Sequence, residues 1–201
     1  MDLDFPEDII LQTNFKIIRD ILKDHYLNVT IKDLVIKENL EQQSSQVSCI
    51  LQYGVHDKEG FHVKGCGSGP VDALFSSIVN EISGTYVSLH DISFEDFKMS
   101  ADFKDTFAKS KTDVPVSIRL VVAGGKENKK IYFRAKSRSM ISASVQVIRE
   151  AIEYFINSEL AVLQLYRSIQ EASLRNRTDL VQDYTFKLAE LVDIVSYERT
   201  I

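Results

Sequence analysis

A chain of 201 residues holds one domain with appendages or two small ones, and 44% hydrophobic with 26% charged residues is the composition of a protein with a packed core. The formal charge of −5, with basic residues scattered apart from Lys126, Lys129 and Lys130, argues against a nucleic-acid partner. No apolar run approaches the roughly 18 residues of a membrane span, the acidic Met1-Asp2-Leu3-Asp4 is unlike a signal peptide, and two cysteines without C-x-x-C spacing make neither a disulfide framework nor a zinc site. The expectation is a cytoplasmic chain with no membrane contact, metal or cofactor.

Residues 5–24 read as a helix, capped by Asp4, with Leu11, Phe15, Ile18 and Leu22 in one stripe. Leu34-Val35-Ile36 is a first candidate strand and Glu41 to Ser45 a polar connection. Val47 to Tyr53 alternates with the period of a half-buried strand; Gly54 to Gly60 reads as a hairpin loop and Phe61 to Lys64 as the return. A glycine-rich turn, Gly65-Cys66-Gly67-Ser68-Gly69, then opens a helix that runs to about Gly84. Gly69 suits the N-cap, Pro70 the first helical position, and Asp72 places a negative charge in the first turn. Val71, Leu74, Phe75, Ile78, Val79 and Ile82 fall on one face.

The same order recurs. Tyr86 to Phe94 alternates like a strand, Val116 to Val122 is another, Ala123 to Asn128 is a turn, and Ile131 to Ala135 is a third strand. Ser137-Arg138-Ser139 leads into a helix with Ile141, Val145, Ile148, Ile152 and Phe155 on one face. Val47 maps to Val116 at a spacing of 69, and Ala73 to Ala143 at 70, which points to a duplication. The predicted fold is α+β: two pseudo-repeated βββα units in a two-layer sandwich, flanked by helices. Its divisions are an N-terminal helix (1–28), the duplicated domain (29–157) and a C-terminal helical hairpin (158–201). Glu95 to Asp113 is long for a loop, so it is a lid-like excursion or carries a helical turn of its own. Ser158 to Arg175 is helical or continues the preceding helix, Asn176-Arg177 breaks it, and Thr178-Asp179 caps a last helix. There Val181, Tyr184, Leu188, Leu191 and Val195 keep heptad spacing, suited first to intramolecular packing and second to a dimer contact.

Chemistry-bearing residues are sparse. The glycine turn could cradle an anion or be purely structural; it is not a P-loop, because no Gly-Lys-Ser/Thr follows and Asp72 would repel phosphate. His25, His56, His62 and His90 stand isolated, and Cys66 adjoins a helix N-terminus without a nameable base. Asp91, Glu95 and Asp96 read as a solvated rim. With no Ser/His/Asp or paired-carboxylate constellation, the expectation is a non-catalytic chain.

Gly67-Ser68-Gly69-Pro70-Val71-Asp72-Ala73-Leu74, after a strand and inside a duplicated βββα arrangement, resembles the C-terminal regulatory domain of alpha-isopropylmalate synthases and citramalate synthases. Ile141-Ser142-Ala143-Ser144 stands where that domain opens its second helix with Ile-x-Ala-Ser, and the likeness covers roughly residues 34–157. The chain departs from the pattern in having Ala135 for a glycine, Ser139 for Asp or Asn, Pro115 for a small residue, and a longer 95–113 stretch. The family's full-length enzymes also carry a TIM barrel whose metal site includes a His-x-His pair, and no such pair occurs here. The resemblance therefore implies a regulatory domain without the condensing activity. It implies a homodimer that binds leucine or isoleucine between the two helix-opening turns and acts with a synthase catalytic domain. Carried over by position, the first turn contributes Gly67, Ser68, Gly69, Pro70 and Val71. The strand after the first helix contributes Leu89 and Ile92, and the second turn Ser137, Arg138, Ser139, Met140 and Ile141. The alternative is a dimerisation or docking module that kept the fold without the ligand.

Overall fold

The computed structural model describes residues 6–53, 60–90, 92–101, 116–124 and 129–192. After α1 (Pro6–Leu22) come β1 (Val29–Asn39), β2 (Ser44–Tyr53), β3 (Phe61–Gly67) and α2 (Pro70–Ile82). The order repeats as β4 (Ser93–Ala101), β5 (Val116–Gly124), β6 (Lys129–Ser137) and α3 (Met140–Leu174), and α4 (Thr178–Val192) follows. Each set of three strands forms an antiparallel sheet, in the orders β1-β2-β3 and β4-β5-β6. α2 covers one face of the first sheet and α3 one face of the second.

Alternation dictates these layers. Val47, Cys49 and Leu51 of β2 turn inward beneath Leu74, Phe75 and Ile78, while Ile118, Leu120 and Val122 of β5 lie in the same core as Ile148, Ile152 and Phe155. The pairing refines the duplication. Val47 stands opposite Gly65 as Ile118 stands opposite Ala135, so β2 and β5 correspond at a spacing of 71 rather than 69. That is one side-chain pair along the same face.

Two expected strands are corrected. The first is eleven residues long, not three, and its register shifts between Lys32 and Val35, where Asp33 takes a φ of +49°. The shift moves the inward set from Val29 and Ile31 to Leu34 and Ile36, which hides the alternation. Tyr86 to Phe94 is not a strand. Val87–Leu89 is a tight 3-10 turn, with Leu89 N–H donating to the Tyr86 carbonyl (3.1 Å) and Ser88 N–H to Glu159 Oε2 (2.8 Å). The strand starts at Ser93 instead and includes 95–101 of the supposed excursion; 102–113 lies outside the described residues.

Polar groups on α3 tie down both connections into the sheets. Glu153 Oε1 accepts from Val29 N–H (2.7 Å), and Asn157 bonds both the N–H and the carbonyl of Leu27 at 2.8 Å. Glu159 holds the 3-10 turn, whose Ser88 hydroxyl also reaches the Phe155 carbonyl. α3 runs unbroken through residues 157 and 158. Asn176, at a φ of +54°, ends the helical run as expected, and α4 folds back on α3. Leu191 is fully buried there, with Tyr184 and Leu188 packed against the core, so the described part of the heptad stripe packs intramolecularly.

The two helices open toward the same end of the domain. Val29, at the start of β1, is held by Glu153, whereas Leu34 shares a cleft with Ile141 and Val145. Moving forward along β1 is thus moving back toward the N-terminus of α3. In the sheet register that direction leads to Glu38, opposite Ser45, which is opposite Gly67.

Candidate functional site

The first turn is closed by its own acid. Asp72 Oδ2 accepts from the backbone N–H of Ser68 (2.9 Å) and from its hydroxyl (3.0 Å), while Oδ1 accepts from the Ser76 hydroxyl (3.2 Å). The Ser68 backbone bond, with help from the two hydroxyls and against partial burial, holds the Asp72 carboxyl below the usual carboxylate range. Gly69 is the N-cap in an extended conformation, and its carbonyl accepts from Ala73 N–H at 2.8 Å. Gly67 lets the strand end approach the helix: a Cβ there would sit 2.6 Å from both Ala73 N and Asp72 Oδ2. Pro70 and Val71 are half-buried.

The second turn has the same backbone plan and the opposite charge. Ser139 is the N-cap, its hydroxyl accepting from Ser142 N–H (3.2 Å), and the Ser137 hydroxyl accepts from Ser139 N–H (3.2 Å). No acid occupies the first turn of α3. Arg138, Ser139, Met140 and Ile141 are exposed, so two apolar side chains and the positive charge of Arg138 lie at this tip.

Leu89 and Ile92 are not with the turns. Leu89, the last residue of the 3-10 turn, is buried in the core, and Ile92 lies with Phe155 against Gly124. Phe155 is about 22 Å along α3 from Met140 at 1.5 Å per residue. The structure brings the two turns to one end and places these two residues away from both.

Sequence reading missed the buried polar residues of α3. Burial pushes the Glu153 carboxyl up, more than the Val29 N–H and the neighbouring Arg149 and Arg19 lower it. The available signal was Glu153, Asn157 and Glu159 set inside a largely apolar run, Ala151 to Val162. The acidic rim is ion-paired: Asp96 meets Arg119 (3.3 Å) and Lys98 (3.7 Å), and Glu95 meets Lys130 (3.5 Å). Asp91 and His56 lie outside the described residues. Among the described residues no group of three or more His, Cys, Asp or Glu could hold a metal, and no helix is long and apolar enough to cross a membrane.

The family model of the LeuA allosteric (dimerisation) domain matches residues 12–156. The chain belongs to that family. The matched stretch of this LeuA domain starts within α1 and ends within α3, so it contains both βββα units and both helix-opening turns. The second half of α3 and all of α4 lie beyond it. A regulatory and dimerising role goes with the LeuA family. No curated protein matches the chain.

Proposed function

We propose that this LeuA domain is a non-catalytic cytoplasmic sensor. It binds leucine or isoleucine as a feedback effector, pairs with a second copy, and controls an isopropylmalate or citramalate synthase-type catalytic domain. The observation that carries this reading is the opposite charge of two like turns that open at one end of the domain. A free amino acid is a zwitterion. Asp72 in the first turn suits its ammonium group, while Arg138 and the acid-free N-terminus of α3 suit its carboxylate. Val71, Met140 and Ile141 supply apolar surface for a branched tail. Leu89 and Ile92 then contribute packing rather than contact.

A thermal scan with leucine, isoleucine and valine tests it. A ligand bound only by the native state stabilises by about 2.7 kcal/mol at a hundredfold excess over Kd. The expected result is a melting temperature that climbs with the logarithm of effector concentration. A flat response to all three removes the sensor. The second reading, a ligand-free dimerisation or docking module, draws support from the Ser68 N–H, which Asp72 already occupies. It predicts complex formation with a synthase on chromatography without any thermal response to amino acids.

A further inference from the structure

The duplication makes each unit a control for the other. Phe94 of β4 stands opposite Val122 as Ile31 of β1 stands opposite Leu51, and three residues on from each come Phe97, just past the shift in β4, and Leu34, within the shift in β1. Where α2 meets β4, Phe75 lies edge-on to Phe94 with ring centroids 5.7 Å apart, and Phe94 stacks on Phe97 at 6.5 Å. Where α3 meets β1, the corresponding residues are Ile31, Leu34 and Val145, with Val145 seventy residues after Phe75. Three rings on one side answer to three aliphatic side chains on the other. What results is an open cleft of about 430 Å³, continued by Ile141, Gln146 and Arg149.

Among the described residues Arg149 is the one charged residue lining that cleft, and its Nε is buried without a hydrogen-bond partner among them. The Nε itself is closed to solvent, so a ligand in the cleft would meet the terminal nitrogens of this half-buried guanidinium, where a carboxylate makes a charge-assisted bond. The two carboxylates nearest on α3 are engaged: Glu150 accepts from the Gln146 side chain, and Glu153 from Val29 N–H. Among the described residues no acid lines the cleft, so none of them would receive an ammonium group there.

We propose that this cleft binds a small apolar monocarboxylate, a branched or aromatic tail on an anion that lacks an ammonium group. Its carboxylate meets Arg149, and its tail fills the space that Phe75, Phe94 and Phe97 fill in the other unit. This site shares only Ile141 with the amino-acid site proposed above, and its ligand differs in net charge.

The test is a titration of the wild-type protein, methyl-labelled at isoleucine, with 4-methylvalerate and with phenylacetate, beside leucine and phenylalanine. The expected result is a saturable shift of the Ile31 and Ile141 methyl signals with the two acids, at concentrations where the zwitterions leave Ile31 unmoved. Arg149→Met weakens the binding at least tenfold, Arg149→Lys restores part of it, and Val145→Phe, which copies the other unit, abolishes it. An Ile31 signal unmoved by both acids overturns the proposal without calling on any variant. So does acid binding indifferent to Arg149→Met and Val145→Phe. A lower sedimentation mass for Val145→Phe, with no acid binding in the wild type, assigns the cleft to a second copy and also overturns it. A thermal response to leucine without acid binding sinks this site alone, and the reverse sinks the amino-acid sensor alone.

Discussion

Gly65 and Gly69 stand four residues apart and carry opposite expectations for alanine. A Cβ on Gly65 would lie 1.9 Å from the Ser77 hydroxyl oxygen and 2.9 Å from Ser77 Cβ, on a helix already seated against β3. Gly65→Ala should cost about 1–3 kcal/mol, as overpacking does. Ser77→Ala in the same chain should recover only part of that, because its Cβ stays. Gly69→Ala meets nothing within 4 Å and needs no left-handed backbone, so urea melts should place it within about 0.5 kcal/mol of wild type. Glu153 gives a second test. Its folded pKa lies above the ordinary 4.5, so its contribution is fully present below that pH and is lost as pH rises through the folded value. Glu153→Gln keeps an acceptor for Val29 N–H and removes the charge. It should exceed wild type in stability at neutral pH, with the gap closing toward pH 4.5, as denaturant midpoints across the range would show. Asp72 runs the other way. Its lowered pKa stabilises above the ordinary 3.8 and is lost on acidification, so Asp72→Asn should flatten the acid limb of the same curve.

At the scale of elements, the N-cap of α3 is a single hydroxyl, and Ser139→Ala should cost about 0.5–2 kcal/mol in a thermal or urea melt. Such local chemistry is what the sequence makes legible. Ser139, Pro70 and Asn176 declare helix ends within a few residues of themselves, and the alternation from Val47 to Tyr53 declares β2. β1 stayed partly hidden because an irregularity at Asp33 moves its inward residues from odd to even positions. β4 was obscured by the charges of Asp96 and Lys98 on its outer face and by its own shift at Glu95. Val87 and Leu89 mimicked a strand, yet the hydrogen bonds that decide the turn go from Leu89 to Tyr86 and from Ser88 to Glu159, 71 residues away. The site divides along the same line. Both turns could be named from their own residues. That Leu89 and Ile92 sit beside the middle of α3, away from both turns, depends on how helices and sheets stack, which no local spacing encodes. The cleft beside Arg149 emerges only when the packing of one unit is set against the other.

For the molecule as a whole, α3 decides how far cooperativity reaches. Its 35 residues span about 52 Å at 1.5 Å per residue, long enough to pass from the second sheet to the helices that flank it. Its N-terminal half packs on β5, β6 and β1, and other contacts join it to α1 and α4. Buried residues form a continuous cluster from Val47 in the first sheet through Phe133 in the second to Ile18 of α1 and Leu191 of α4. If that cluster melts as one body, a defect in the last helix must weaken the sheets as well. Leu191 is fully buried, so Leu191→Ala should cost about 2–5 kcal/mol. For a chain of this size that is a fall of about 2–4 °C in melting temperature per kcal/mol. The decisive feature is the shape of the transition. Far-ultraviolet ellipticity and tyrosine fluorescence should fall together at the lowered temperature, because one helix carries the loss from Leu191 to Phe155 and on to the strands beneath it. An early step confined to helical signal, followed by a sheet transition at the wild-type temperature, would instead make α4 a separately melting attachment and uncouple it from the turns that open α2 and α3.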